Sequence, residues 1–156
     1  MNLDPSLDLV LERTLNAPKD LLFQCWTQER HLPHFFVPRP HSVTHCKLDP
    51  RVGGVFETTF NVDGTEMQNN GVYLEVIENE KLVFTDGYTE GWKPAPDPFM
   101  TAIVLFEDAG GGRTKYTAIA RHRSTEKAET HKAMGFFDGW GTVATQLEDY
   151  ARGLME

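Results

Sequence analysis

Four side chains in this sequence are placed to hold or move a proton inside a fold: Glu57, Glu75, Asp86 and His122. The two glutamates lie within strand-like stretches, and Asp86 and His122 lie near the ends of such stretches. A carboxylate aimed into an apolar space keeps its proton toward neutral pH, which suits it to general acid or base work. Alternation puts Glu57, between Phe56 and Thr58, on the solvent side. For Glu75 it does not decide, because Tyr73-Glu75-Ile77 and Leu74-Val76 are both partly apolar rows. Other chemistries lack their residues. The three serines, Ser6, Ser42 and Ser124, lie outside any G-x-S-x-G elbow. Gly110-Gly111-Gly112 reads as a hairpin turn, and no P-loop or dinucleotide fingerprint occurs. His31, His34, His41 and His45, with Cys46, are zinc-ligand types. Pro33 breaks the helical geometry that would align His31 with His34, so neither a metal nor another cofactor is expected.

The aromatic set points to binding rather than to bond-making. Phe56 and Phe60 share one strand face, Leu82 and Phe84 share another, and Tyr73 and Tyr116 add hydroxyls. An apolar space with a few polar groups is the usual description of a small-molecule site. The expected walls are Phe56, Phe60, Tyr73, Phe84 and Tyr116 from a sheet, and Met134, Phe137, Trp140 and Ala144 from a terminal helix. Trp26, Phe36 and Trp92 would close the ends.

These residues need elements to carry them. Leu7 to Thr14 reads as a first strand, Asn16-Ala17-Pro18 as a helix entrance with Asn16 as cap, and Leu21, Leu22, Cys25 and Trp26 as the buried face of a short helix. A second short helix is expected over Gln28 to His31. Period-two stretches follow at Val43 to Leu48, Gly54 to Asn61, Met67 to Ile77, Lys81 to Asp86, Thr101 to Phe106 and Thr114 to His122. The turns between them are short, which predicts an antiparallel meander. The exception is Gly87 to Phe99, read as a loop in which Trp92 serves as a lid. In the last helix Phe136, Trp140, Val143, Leu147, Tyr150 and Leu154 fall on one face, opposite Asp138, Thr142, Thr145, Gln146, Asp149 and Arg152. The apolar stripe must pack on the sheet, giving an α+β helix-grip arrangement. Gly135, Gly139 and Gly141 near its start admit two readings. They leave room for a guest together with Ala133, Ala144 and Ala151, or Gly135 is a left-handed cap and the other two permit close backbone approach.

At 156 residues the chain is read as one domain, 1–156. Its 15 basic and 23 acidic residues give a formal net charge of −8, with the basic ones scattered, which argues against nucleic acid and anionic membranes as partners. No apolar run approaches the roughly 20 residues of a membrane span, and the N-terminus lacks a secretion pattern. Cys25 and Cys46, far apart and without C-x-x-C, fit packing roles in a reducing cytoplasm.

The stretch His131-x-x-Met134-Gly135-Phe136-x-x-Gly139-Trp140, followed by Leu147 and Tyr150, resembles the C-terminal signature of proteins related to the activator of the 90-kDa heat-shock chaperone ATPase, in the START-like superfamily. Arg13 to Pro18 with Trp26-Thr27, Asp49-Pro50-Arg51-Val52-Gly53-Gly54-Val55-Phe56, and Gly71 to Ile77 through Lys81 to Thr85 resemble its earlier elements in order and spacing. Many relatives carry a tryptophan where this chain has Phe35-Phe36. The resemblance implies a helix-grip fold with a curved antiparallel sheet around a long C-terminal helix, two short helices after the first strand, and an elongated apolar cavity. It does not imply one activity. A carrier of a small apolar or aromatic ligand is the first expectation. A cyclase- or dehydratase-type enzyme using Glu75, Asp86 or His122, and a co-chaperone-like module, are the alternatives. Homodimerisation stays open.

Overall fold

In the computed structural model, which describes residues 2–156, the period-two stretches are strands. They are β1 (Asp8–Leu15), β2 (Ser42–Leu48), β3 (Val55–Val62), β4 (Thr65–Ile77), β5 (Lys81–Thr85), the two-residue pair β6 (Tyr88–Thr89) and β7 (Lys93–Pro94), β8 (Thr101–Gly110) and β9 (Arg113–Arg121). All but β6 and β7 form one antiparallel sheet in the order β1-β9-β8-β5-β4-β3-β2. From β2 to β9 this is the expected meander, and β1 closes against β9. Asp63 and Gly64 turn β3 into β4 with φ of 54° and 83°, the left-handed pair that matches the strand twist. The first half of β4 pairs with β3 and the second half with β5, so the sheet is sheared and curls.

Inside that curve lie Leu9, Leu11, Phe56, Tyr73, Phe84, Val104, Phe106 and Tyr116, one contiguous core with the helices. The reverse face carries a smaller cluster of Val83, Ile103 and Ile119. The edge of the sheet is pinned by Asp8, whose carboxylate takes two hydrogen bonds from Arg121, at 2.8 and 2.9 Å. That bidentate grip holds the Asp8 carboxyl below its usual pKa.

Helix α1 (Lys19–Thr27) buries Leu22, Phe23, Cys25 and Trp26. Its cap is Pro18 rather than Asn16, and Asn16 bonds the last helix instead: its N–H donates to Glu148 and its carbonyl accepts from Arg152. The second short helix is a 3-10 turn at Leu32–His34, later than expected, because Pro33 suits a first-turn position and not a helix interior. Helix α2 (Thr125–Ala133), capped by Ser124, leads into α3 (Phe136–Leu154).

Between α2 and α3 stands Gly135 with φ 95°, a conformation that L side chains rarely adopt. The cap reading of this glycine is therefore the correct one. Gly141 makes room for Arg13, whose Nη2 would lie 3.3 Å from an added Cβ, while Gly139 has nothing within 4 Å. Gln146, expected on the solvent face, is buried. Its Nε2 donates to the carbonyls of Phe35 (3.0 Å) and Val37 (2.8 Å), and its Oε1 accepts from the Arg39 N–H (3.0 Å). A loop that crosses a helix must satisfy its backbone groups somewhere, and here one amide does so three times.

Candidate ligand-binding site

The concave face presents a continuous aromatic nest. Phe56 and Phe84 stack with centroids 4.1 Å apart, and Tyr73 meets Phe56 edge-on at 5.4 Å. Trp26 from α1 packs on Phe84 at 5.9 Å and on Phe36 at 5.4 Å, and Phe36 reaches both Phe56 and Phe60. Gly71 on β4, opposite Phe56, is a glycine because any Cβ there would collide with the Thr85 carbonyl.

Three polar atoms within this region are buried without a hydrogen-bond partner: Tyr73 Oη, Thr58 Oγ1 and Trp26 Nε1. The Tyr116 hydroxyl comes close to Trp26 Nε1, but no hydrogen bond of normal geometry joins them. Burial pushes the Tyr73 and Tyr116 hydroxyls far above their usual pKa, so both stay protonated. Most buried side-chain polar groups find partners, so orphans in one apolar nest mark a place where a partner can arrive. Thr58 was not among the sequence candidates. Its alternation with Phe56 and Phe60 was the available signal.

Of the expected lining residues, Trp26, Phe56, Tyr73, Phe84, Tyr116 and Ala144 are buried in the core, and Phe36, Phe60 and Trp140 are half-buried. The other three face outward. Met134 is 71% exposed and Phe137 44%, because Gly135 breaks the helix between them and turns both to the surface. Trp92 is 48% exposed, and its indole lies over Gly53. Thr85 Oγ1 accepts from the Gly87 N–H at the start of this segment, and the far end packs against α2, with Phe99 on His131 at 4.6 Å and Asp97 paired to Lys127 at 3.1 Å.

The proton-transfer candidates also move. A bulge between Tyr73 and Glu75 shifts the register of β4, which is why alternation was ambiguous there. Glu75 emerges on the reverse face, in an ion pair with Lys81 at 2.9 Å. Asp86 accepts from the Phe99 and Met100 N–H groups and ties down the start of β8. His122 hydrogen-bonds the Leu7 carbonyl and His131, so it too is structurally engaged. Among the four histidines near Cys46, His31 hydrogen-bonds Tyr150 at 2.7 Å and His34 stacks on the same ring at 4.7 Å. Burial raises the thiols of Cys25 and Cys46 to about 11, consistent with packing rather than reactivity.

Two surface grooves lie outside the nest. One, of about 600 Å³, runs between α1 and the β4–β5 turn, lined by Phe23 and Val76 beside Gln24 and Glu78. The other, of about 340 Å³, follows α3 past Arg13, Phe137 and Thr142. Phe36 and Phe60 are the half-buried rings of the nest, and the half-buried Trp140 packs on Phe136 at 5.0 Å.

A curled antiparallel sheet gripping one long terminal helix is a helix-grip fold, and comparison with known proteins is specific about the family. The model described as Activator of Hsp90 ATPase homolog 1-like protein matches residues 16–152. The chain belongs to this family. The crystal structure of protein NE0264 from Nitrosomonas europaea is similar over 98% of this chain and 99% of that one, at 36% identity and a TM-score of 0.94. Two more distant structures share the fold. Protein Ms6760 from Mycobacterium smegmatis is 24% identical with a TM-score of 0.77, covering 92% of this chain and 90% of its own. The AHSA1 protein from Silicibacter pomeroyi is 19% identical with a TM-score of 0.72, covering 96% and 99%. A comparison with curated proteins finds no match. Among the described residues of this Activator of Hsp90 ATPase homolog 1-like chain, no helix is long and apolar enough to cross a membrane.

Proposed function

We propose that this family member binds a small apolar or aromatic molecule carrying a hydrogen-bonding group, held between α3 and the concave sheet. The observation that supports this is the set of unpartnered polar atoms, Tyr73 Oη and Thr58 Oγ1 above all, inside an aromatic nest. Leaving such an atom unsatisfied costs about 1–3 kcal/mol. A ligand oxygen or N–H that meets one of them recovers part of that, while the ligand's ring replaces water-exposed apolar surface with contact to Phe56 and Phe84. The interior is filled by the protein's own rings, so a guest enters by turning aside the half-buried side chains of Phe36 and Phe60.

Family membership by itself is compatible with a ligand-binding or a co-chaperone-type role. The nest favours the first. Titration with the neutral fluorescent probe N-phenyl-1-naphthylamine tests it. Wild-type protein should enhance probe emission saturably, and Ala144→Phe, which inserts a ring at a buried position of α3, should abolish the enhancement at a cost of about 1–3 kcal/mol in stability. Equal probe affinity in the folded variant would remove this site from consideration.

A further inference from the structure

His122 and His131 form a buried pair at the corner where α2 meets α3. His122 Nδ1 lies 2.8 Å from the Leu7 carbonyl, an acceptor only, so this nitrogen carries the hydrogen. His122 Nε2 is then the acceptor, and His131 Nδ1 donates to it across 2.9 Å. The rings of Phe99, Phe136 and Trp140 surround His131, with centroids at 4.6, 5.2 and 6.2 Å. The pair thus joins the N-terminal segment, the end of β9, α2 and the first turns of α3.

We infer that this corner is an acid-operated clasp: a proton added to His131 frees α2 and the start of α3, and carries Trp140 away from the core that holds the aromatic nest. That proton puts a charge on a side chain buried away from water, and opening the corner returns it to solvent. Asp8 is near enough to His122 for their charges to interact, but among the described residues no carboxylate is hydrogen-bonded to either ring. Asp8 is held by Arg121, Asp86 by the Phe99 and Met100 N–H groups, and Asp97 by Arg123 and Lys127. Glu126, Glu129 and Lys132 on α2, and Asp138, Glu148, Asp149 and Arg152 on α3, are the remaining charges on the two helices. Gly135, which with Met134 links α2 to α3, is the joint about which the corner can swing.

Burial, with the neighbouring His122 adding to it, drives the His131 imidazole down to about 4. An imidazole freed into water titrates near 6.5. The closed corner therefore keeps its full stability above the freed value and loses it as pH falls toward the buried one. For one such histidine the opening equilibrium rises about 30-fold between pH 7.5 and pH 5.

The opening does not depend on the binding reading; its use as a gate for the nest rests on that reading. Hydrogen exchange on the full chain, corrected for intrinsic rates, tests the opening. Between pH 7.5 and 5, peptides covering 123–143 should lose about 30-fold in protection while those covering β3 and β4 keep theirs, and His131→Phe should remove the difference. Equal protection at the two pH values, or an undiminished change in His131→Phe, overturns the clasp. Should that variant fail to fold, NMR titration of the wild-type imidazoles decides. His131 is expected to titrate well below 6 together with the amides of α2, and a titration near 6.5 that leaves those amides unmoved overturns it. Release of N-phenyl-1-naphthylamine over the same interval is expected of a gate. Opening with unchanged probe affinity overturns the gating, whereas no probe binding at any pH counts against the nest and leaves the exchange result to judge the clasp.

Discussion

Replacing Tyr73 by Phe should move stability and binding in opposite directions. Tyr73 is fully buried, its ring is held edge-on by Phe56 at 5.4 Å, and its hydroxyl has no partner. Tyr73→Phe keeps every ring contact and deletes one oxygen. A buried unsatisfied hydroxyl costs about 1–3 kcal/mol, and the small void left behind returns some of that, so a net gain of about 1 kcal/mol is expected. For a chain of this length that is a rise of about 2–4 °C in the unfolding midpoint. The same oxygen is the acceptor offered to a guest, so affinity for N-phenyl-1-naphthylamine, which carries one N–H, should fall about 2- to 10-fold. Differential scanning calorimetry and fluorescence titration on one preparation give both numbers. Burial keeps the hydroxyl protonated at all working pH values, so the result does not depend on buffer. A variant less stable than wild type by 1 kcal/mol or more would refute the reasoning, because it would mean that the hydroxyl has a partner in the unliganded protein.

The glycines of "MGFFDGWG" should separate by sign. Gly135→Ala forces a side chain into a left-handed residue at φ 95° and should cost about 1–2 kcal/mol, whereas Gly139→Ala, in α3 with nothing within 4 Å of the added carbon, should gain about 0.5–1 kcal/mol. Urea unfolding of the two variants checks both. Gln146→Leu leaves the Phe35 and Val37 carbonyls and the Arg39 N–H without their buried partner, an expected loss of about 3 kcal/mol by the same assay; a loss below about 1 kcal/mol would show that the 35–39 loop is held by something else.

Much of this fold was legible because its signals are local. Period-two stretches with short turns between them specify neighbours in a meander, and the stripe from Phe136 to Leu147 needs a sheet to cover it. What escaped were features in which one residue changes the arithmetic of its neighbours. The extra residue at Leu74 inverts the side on which Glu75 emerges, and alternation counted through the bulge could only return an ambiguity. Gly135 divides one apparent helix into two and turns Met134 and Phe137 outward, although its own left-handed role was readable from its type. Gln146 was placed with the polar face of α3 because a glutamine in sequence does not announce three backbone partners more than a hundred residues away. Trp92 was expected over the nest, and loop length says nothing about where its ring comes to rest, which is beside Gly53. In the nest itself the aromatic residues were readable from alternation, and so was the side on which Thr58 lies between Phe56 and Phe60, but that its hydroxyl is buried without a partner was not.

The central claim is that the nest between α3 and the sheet takes a small apolar guest. Native mass spectrometry of freshly purified protein, beside the same sample after denaturation, addresses it most directly. The account predicts an added mass of a few hundred daltons, lost on denaturation, or its acquisition on incubation with N-phenyl-1-naphthylamine at one molecule per chain, with Tyr73→Phe taking up less. A bare chain mass before and after incubation, in protein whose thermal unfolding shows it to be folded, would contradict it.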